Sequence, residues 1–205
     1  FDKSIKICET LKDTIGIAAI TTKKGSIYIS KGEYQQALEH YLISLKLRED
    51  IRMREPKNNK NLEGIADCFN NIGNVYYYLG KYDFTIDNYF KALEMYEHLK
   101  KKESIAHSFN NIGLLYRVKG NSEKAVEYRE KALIIYEELG NKEGIAAVNT
   151  GLAIIFSSEN NFEPAKKHLL KSLAIYQEMG YQVKIAQTLH NLGDICASQE
   201  KFTEA

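Results

Sequence analysis

The segment Phe69 to Tyr76 recurs forty residues later as Phe109 to Tyr116, and eighty residues beyond that as Leu189 to Cys196. Each copy carries the same skeleton: Phe69, Asn71, Ile72, Gly73 and Tyr76 in the first, Phe109, Asn111, Ile112, Gly113 and Tyr116 in the second. A degenerate copy runs from Asn149 to Phe156, and an earlier one ends in Gly25, Ser26, Ile27 and Tyr28, offset by forty-eight. A second half repeats in step, with Lys91-Ala92-Leu93, Lys131-Ala132-Leu133 and Lys171-Ser172-Leu173 followed by Tyr96, Tyr136 and Tyr176. Fixed-period self-similarity marks an architecture in which each unit buries its apolar face only against its neighbours.

Each copy reads as a helical hairpin. Phe69, Ile72, Gly73 and Tyr76 fall at i, i+3, i+4 and i+7, the stripe of an amphipathic helix. Proline is limited to Pro56 and Pro164, and Leu, Ile, Ala, Lys and Glu abound, which favours helix throughout. Gly25, Gly73, Gly113 and Gly193 sit in mid-helix, where glycine costs about 1 kcal/mol against alanine. Their recurrence predicts a close approach between helices, and Ala153 in the equivalent slot keeps the demand for small size. Gly32, Gly80, Gly120 and Asn160 separate the two halves, where a left-handed residue ends a helix. The pattern predicts helices at 14–31, 34–55, 62–79, 82–100, 102–119, 122–139, 142–159, 162–179 and 182–199. A half-helix is expected over 1–11, and another starts at 202. Pro164 falls in a first turn, where its missing N–H is harmless. An eight-residue insertion around Arg48 to Pro56 predicts an extended helix ending before Pro56, then a polar loop from Lys57 to Asn61. The insertion reads either as a tolerated loop or as a docking feature.

The pattern resembles the tetratricopeptide repeat. Phe69-x2-Ile72-Gly73-x2-Tyr76, then Thr85-x3-Tyr89 and Ala92, follow the family's W-x2-L-G-x2-Y and A-x3-F spacing. The period is forty rather than 34, and the family's terminal Pro is replaced by Glu97, Glu137 and Gln177. Long repeats of this kind resemble those of polarity adaptors and of bacterial sensor kinases and cyclases. The resemblance implies an all-α, right-handed superhelical solenoid of antiparallel helix pairs. Its repeats would span 1–13 (a second helix only), 14–61 with the insertion, 62–101, 102–141, 142–181 and 182–205 (truncated). Phe1 aligns with Tyr89 and Ala205 with Thr85, inside helices, so the chain is expected to be a piece of a longer protein.

The resemblance also implies a concave groove lined by first helices. The matching positions are Asp67, Asn70, Asn74, Tyr77 and Tyr78 in one copy, and His107, Asn110, Leu114, Arg117 and Val118 in the next. Ala19, Thr22, Ser26, Ile29 and Ser30 correspond to them in the first copy, and Ala147, Thr150, Ile154, Ser157 and Ser158 in the fourth. Gln187, His190, Asp194, Ala197 and Ser198 complete the series. Asn71, Asn111 and Asn191 occupy the slot where related scaffolds place a ligand-clasping Asn. The amides can offer a donor and an acceptor to an extended peptide, or they can bond one another and the nearby backbone. Tyr77 and Tyr78 read as binding anchors or as packing against a neighbouring helix. Tyr28, Tyr82, Tyr89, Tyr96, Tyr136 and Tyr176 fall at core positions, as does Phe109. The second and third full copies concentrate these groups and are expected to carry the partner, the fourth being smaller and blander. Some family members clamp a C-terminal carboxylate with groove Lys and Arg; the slots of Asn70, Asn110, Thr150 and His190 hold no Lys, so such a clamp is not expected.

Twenty-eight Lys and Arg balance 27 Asp and Glu, which gives no electrostatic footprint for nucleic acid or an anionic membrane. No apolar run has the length of a membrane span. Cys8, Cys68 and Cys196 lie far apart and read as reduced thiols of a cytoplasmic protein. Phosphate-cradling glycine loops, HExxH and CxxC are missing, so no cofactor, metal or catalytic activity is expected. His40, His98 and His168 lie off the groove, and His107 and His190 are too far apart in sequence repeats to share a metal. The expected function is a scaffold for a protein or peptide partner; the alternative is a regulatory segment of a signalling protein, its groove holding that protein's own output domain.

Overall fold

The computed structural model describes residues 2–11 and 13–204 of the chain. Among the described residues there are ten helices and no strand. They are α1 (Asp2–Thr10), α2 (Thr14–Ser30), α3 (Tyr34–Arg54), α4 (Asn59–Tyr78) and α5 (Tyr82–His98). The remainder are α6 (Lys102–Val118), α7 (Ser122–Leu139), α8 (Lys142–Ser158), α9 (Phe162–Met179) and α10 (Gln182–Glu204). Phe1 and Ala205, on which the expectation of a longer protein rests, lie outside the described residues.

The helix ends follow from local chemistry. Asp13, Asn58, Asn121 and Asn141 each accept a hydrogen bond from a backbone N–H three residues on, capping α2, α4, α7 and α8. Gly32, Gly80, Gly120 and Asn160 take positive φ between the halves of each pair, as the sequence requires. Two expectations are corrected. The loop over Lys57 to Asn61 is shorter than read, because Asn58 caps a helix that starts at Asn59. No new helix starts at 202: α10 runs unbroken to Glu204. The slot that holds Gly80, Gly120 or Asn160 elsewhere holds Glu200, which has no preference for the left-handed turn.

The chain divides into two compact units, Phe1–Ser104 and Ile105–Ala205. In the first, α2 packs on α3, α3 on α4 and α4 on α5. Its core joins Ala37, Leu38 and Tyr41 of α3 to Ile72 and Val75 of α4, with Tyr28, Ile29, Tyr34, Leu45 and Tyr76 packed around them. In the second, α7 packs on α8, α8 on α9 and α9 on α10. Ala106, Ala132, Tyr136, Val148 and Leu152 form one cluster there, and Ala153, Phe162, Ala165, Leu169 and Ile195 another. Tyr89, Tyr96, Tyr136 and Tyr176 are buried as expected, whereas Tyr28, Tyr82 and Phe109 are only half-buried.

The mid-helix glycines divide. A Cβ on Gly25 would lie 2.7 Å from the Tyr41 ring, one on Gly73 2.6 Å from Tyr89, and one on Gly113 2.8 Å from Arg129 Cγ. Those three admit the close approach that the repeat implies. Gly193 meets nothing within 4 Å, because no later helix lies over it among the described residues.

Candidate functional site

On the first-helix face, the polar residues singled out by register are bonded to the second helix of their own pair. The Tyr89 hydroxyl donates to Asn74 Oδ1 (2.7 Å), and the Tyr96 hydroxyl donates to Asp67 Oδ1 (2.6 Å). In the second unit Arg129 Nη1 donates to Asn110 Oδ1 (2.9 Å), and the Thr150 and Ser172 hydroxyls share a 2.8 Å bond. Ser26 and Thr22 meet Tyr41 and Ser44 in the same way. A buried hydroxyl or guanidinium needs a partner, and the Asn, Asp, Ser or Thr beside it supplies one. The recurrence of polar residues on this face therefore has a reason inside the fold. It also narrows what Asn74 and Asn110 can offer: their oxygens are engaged, and among the described residues nothing accepts from their amide nitrogens, so each presents N–H donors.

Asp67 remains exposed as a residue, yet desolvation around its carboxyl lifts its pKa above the ordinary range. The Tyr96 hydrogen bond opposes that rise, Glu63 adds to it, and Arg48 and Lys101 oppose it. Asn70, Asn71 and Asn111 are half-buried. Tyr78 is 53% exposed and stacks on Tyr34, with ring centroids 5.1 Å apart. Tyr77 is half-buried, edge-on to Tyr78 and tilted against Tyr82. The pair thus belongs to an aromatic cluster that packs against α3 and α5 while keeping one face in solvent. Leu114 and Arg117 are half-buried. His107 is exposed and lies edge-on to Tyr136 (5.6 Å), and His190 is exposed with Nε2 3.5 Å from Asp194 Oδ2.

Hollows open in the second unit where the sequence looked blandest. One of about 260 Å3 is lined by Ala153, Ile154, Ser157 and Ser158 of α8, Leu169 of α9, and Asn191, Asp194 and Ile195 of α10. A second, of about 360 Å3, is lined by Ala147 and Thr150 of α8, Tyr176 of α9, and Lys184, Gln187, Thr188 and Asn191 of α10. Small side chains on α8 leave the space, so their smallness makes a receptacle rather than a featureless wall. Asn191 borders both hollows. Register alone places Asn191 and Asp194 at this hollow, whereas the only sequence signal of Leu169 and Ile195 is membership of the core stripe.

No helix among the described residues is long and apolar enough to cross a membrane, and no group of three His, Cys, Asp or Glu gathers as a metal site. Cys68 is buried, and burial pushes its thiol pKa up.

Tetratricopeptide-repeat family models match residues 22–55, 66–99 and 104–178. The chain belongs to the tetratricopeptide-repeat family, and its fold is that of the family's helical solenoids. Comparison with curated proteins gives no match. Among solved structures it is similar to BtubC from P. vanneervenii, with a TM-score of 0.81 and 19% identity over 100% of this chain and 83% of that one. It is also similar to aspartyl phosphate phosphatase F from Bacillus subtilis, with a TM-score of 0.80 and 16% identity over 94% of this chain and 50% of that one. A Rap protein complexed with Competence and Sporulation Factor matches with a TM-score of 0.72 and 18% identity, over 94% of this chain and 50% of that one. The chain thus spans half the length of the latter two.

Proposed function

We propose that this chain is a protein-interaction scaffold that holds a peptide or helical segment of a partner along the first-helix faces of its pairs. The observation that carries the reading is the pair of hollows along α8 and α10 that share Asn191. The smaller one, floored by Ala153, Leu169 and Ile195, takes an apolar side chain of the partner. The larger, with Thr150, Lys184 and Gln187 on its walls, takes a polar one. Asn191 between them suits a peptide bond, with a donor and an acceptor on one amide. In the first unit, the amide donors of half-buried Asn74 and the exposed face of Tyr78 are the corresponding features. The fold likeness to a Rap protein complexed with Competence and Sporulation Factor supports a partner of this kind.

Peptides selected from a random displayed library and titrated calorimetrically against the chain test the proposal. Ile154 is 41% exposed, so Ile154→Glu is compatible with folding while it charges the apolar hollow. Ile154→Glu and Asn191→Ala are each expected to weaken the selected peptides by about tenfold or more, the loss that follows from about 1.4 kcal/mol. Selected peptides that bind both variants as tightly as the parent chain would remove the hollows as the receiving site.

A further inference from the structure

The slot filled by Tyr96, Tyr136 and Tyr176 in three copies is filled by Arg48 in the copy that carries the insertion. Tyr136 lies over Gly144, where an added Cβ would stand 2.5 Å from its ring. Arg48 lies over Gly64 in the same way, a Cβ there falling 2.0 Å from its Nη1. An apolar ring has thus been exchanged for a guanidinium in one buried position. Arg48 is 8% exposed, and its Nε is buried without a hydrogen-bond partner. Among the described residues no side chain closes a hydrogen bond or ion pair on the guanidinium; Asn61 Nδ2 donates instead to the Arg48 backbone oxygen (2.8 Å). A charge held in a protein without a partner is unfavourable, and this one borders open space. Arg48 lines a cavity of about 410 Å3 with Asp13, Ile15, Gly16 and Ala19 of the α2 end and Lys60, Glu63, Gly64 and Asp67 of α4.

The charges around that cavity are unequally committed. Asp13 accepts from the Gly16 N–H at the start of α2 (2.8 Å). Glu63 is paired with Lys101 at 2.7 Å, and Asp67 accepts from Tyr96. Each carboxylate has a donor, while among the described residues neither Arg48 nor Lys60 has a side-chain hydrogen-bond acceptor, and Asp67 attracts Arg48 only through space. We infer that this cavity is a binding site for a monocarboxylate, with Arg48 as its main ligand and Lys60 at its mouth. A guanidinium fits the two oxygens of a carboxylate as a fork. Three carboxylates in the walls work against a dianion such as phosphate, which is why the occupant carries a single charge. The site lies between a second helix and the starts of two first helices, apart from the hollows of the second unit, so it stands or falls independently of the function proposed above.

Nitrogen-15-labelled chain, with the Arg48 Nε–H resonance assigned by comparison with Arg48→Tyr, provides the test. Millimolar butyrate is titrated in one arm. In the other arm the probes are acetyl-Ala-Ala-Glu-Ala-amide and its Gln counterpart. A saturable shift of the Arg48 signal by butyrate alone assigns the cavity to a small organic acid. A shift by the Glu peptide, at least about tenfold tighter than butyrate and absent with the Gln peptide, assigns it to an acidic side chain of a partner. Arg48→Tyr restores the residue of the other copies and is expected to fold and to lose the binding; Arg48→Gln serves the same purpose if the tyrosine does not fit. An Arg48 signal unmoved by butyrate and by the Glu peptide overturns the proposal. So does equal binding of the Gln peptide, or binding that survives both substitutions.

Discussion

Each unit buries an arginine in a slot where its sister copies carry another residue, and the two arginines are held differently. Arg129, 5% exposed, takes the register of Tyr41 and Tyr89, and its Nη1 reaches Asn110 at 2.9 Å. It lies over both Gly113 and Gly151, where a Cβ would come within 2.8 Å and 1.8 Å of it. Arg48, equally deep, has its glycine but no side-chain acceptor. The contrast teaches that one substitution, a long cation for an aromatic, has two outcomes set by what the facing helix offers. An amide on α6 turns Arg129 into part of the core; the lack of one beside Arg48 leaves a charge facing a cavity.

The strongest way to sharpen this comparison is to empty the aromatic slot. Tyr136 is 1% exposed at the center of its cluster, so Tyr136→Ala is expected to destabilise the second unit by about 3–5 kcal/mol in urea unfolding. Phe109→Ala is expected to lose less, because Phe109 is half-buried. Equal losses would mean that the clusters are not what holds this unit.

Next in size is the anchor of Arg129. Asn110→Ala leaves a buried guanidinium short of an acceptor and is expected to lose about 1–3 kcal/mol of stability. Asn74→Ala removes the acceptor of a neutral hydroxyl, Tyr89, and is expected to lose about 1 kcal/mol. A neutral Asn110→Ala, measured by thermal and urea unfolding, breaks the claim that this amide serves the fold.

The smallest expected effect is a pH dependence confined to the second unit. His168 is half-buried, stacks on Phe156 (5.5 Å) and shares a 2.8 Å bond between Nδ1 and Asn149 Oδ1. Desolvation first, then Lys171 and Lys167, lowers its pKa below the ordinary histidine value. The folded state therefore favours the neutral ring. Its contribution is complete above the unfolded pKa of about 6.5 and is lost as the pH falls through that value toward the lowered folded one. Unfolding midpoints followed by circular dichroism between neutral and mildly acidic pH should show the loss in the parent chain and a flatter profile in His168→Gln. Identical profiles would refute the assignment.

Much of the helix framework was legible because the code for it is local. The i, i+3, i+4, i+7 stripe, the capping Asn residues and the left-handed Gly80 and Gly120 act within a few residues of chain. What stayed illegible needed a neighbour in space. Gly193 looks like Gly73 in sequence, but only Gly73 has a tyrosine ring over it. Ala147, Ser157 and Ser158 looked featureless, since a hollow belongs to the gap between α8 and α10 rather than to any one residue. Nor does a linear pattern reveal that Tyr89 and Arg129 engage the side-chain oxygens of Asn74 and Asn110.

The sequence by itself determined the repeat, its register, the all-α class and which face of each helix turns to the core, because period and propensity are properties of the chain alone. Only the tertiary structure decided which polar groups are already satisfied, which small residues leave space and that Arg48 stands without an acceptor. Satisfaction and space depend on pairs of helices, and the partner atom in such a pair lies about fifteen to thirty residues away in the chain, as between Asn74 and Tyr89 or Asp67 and Tyr96.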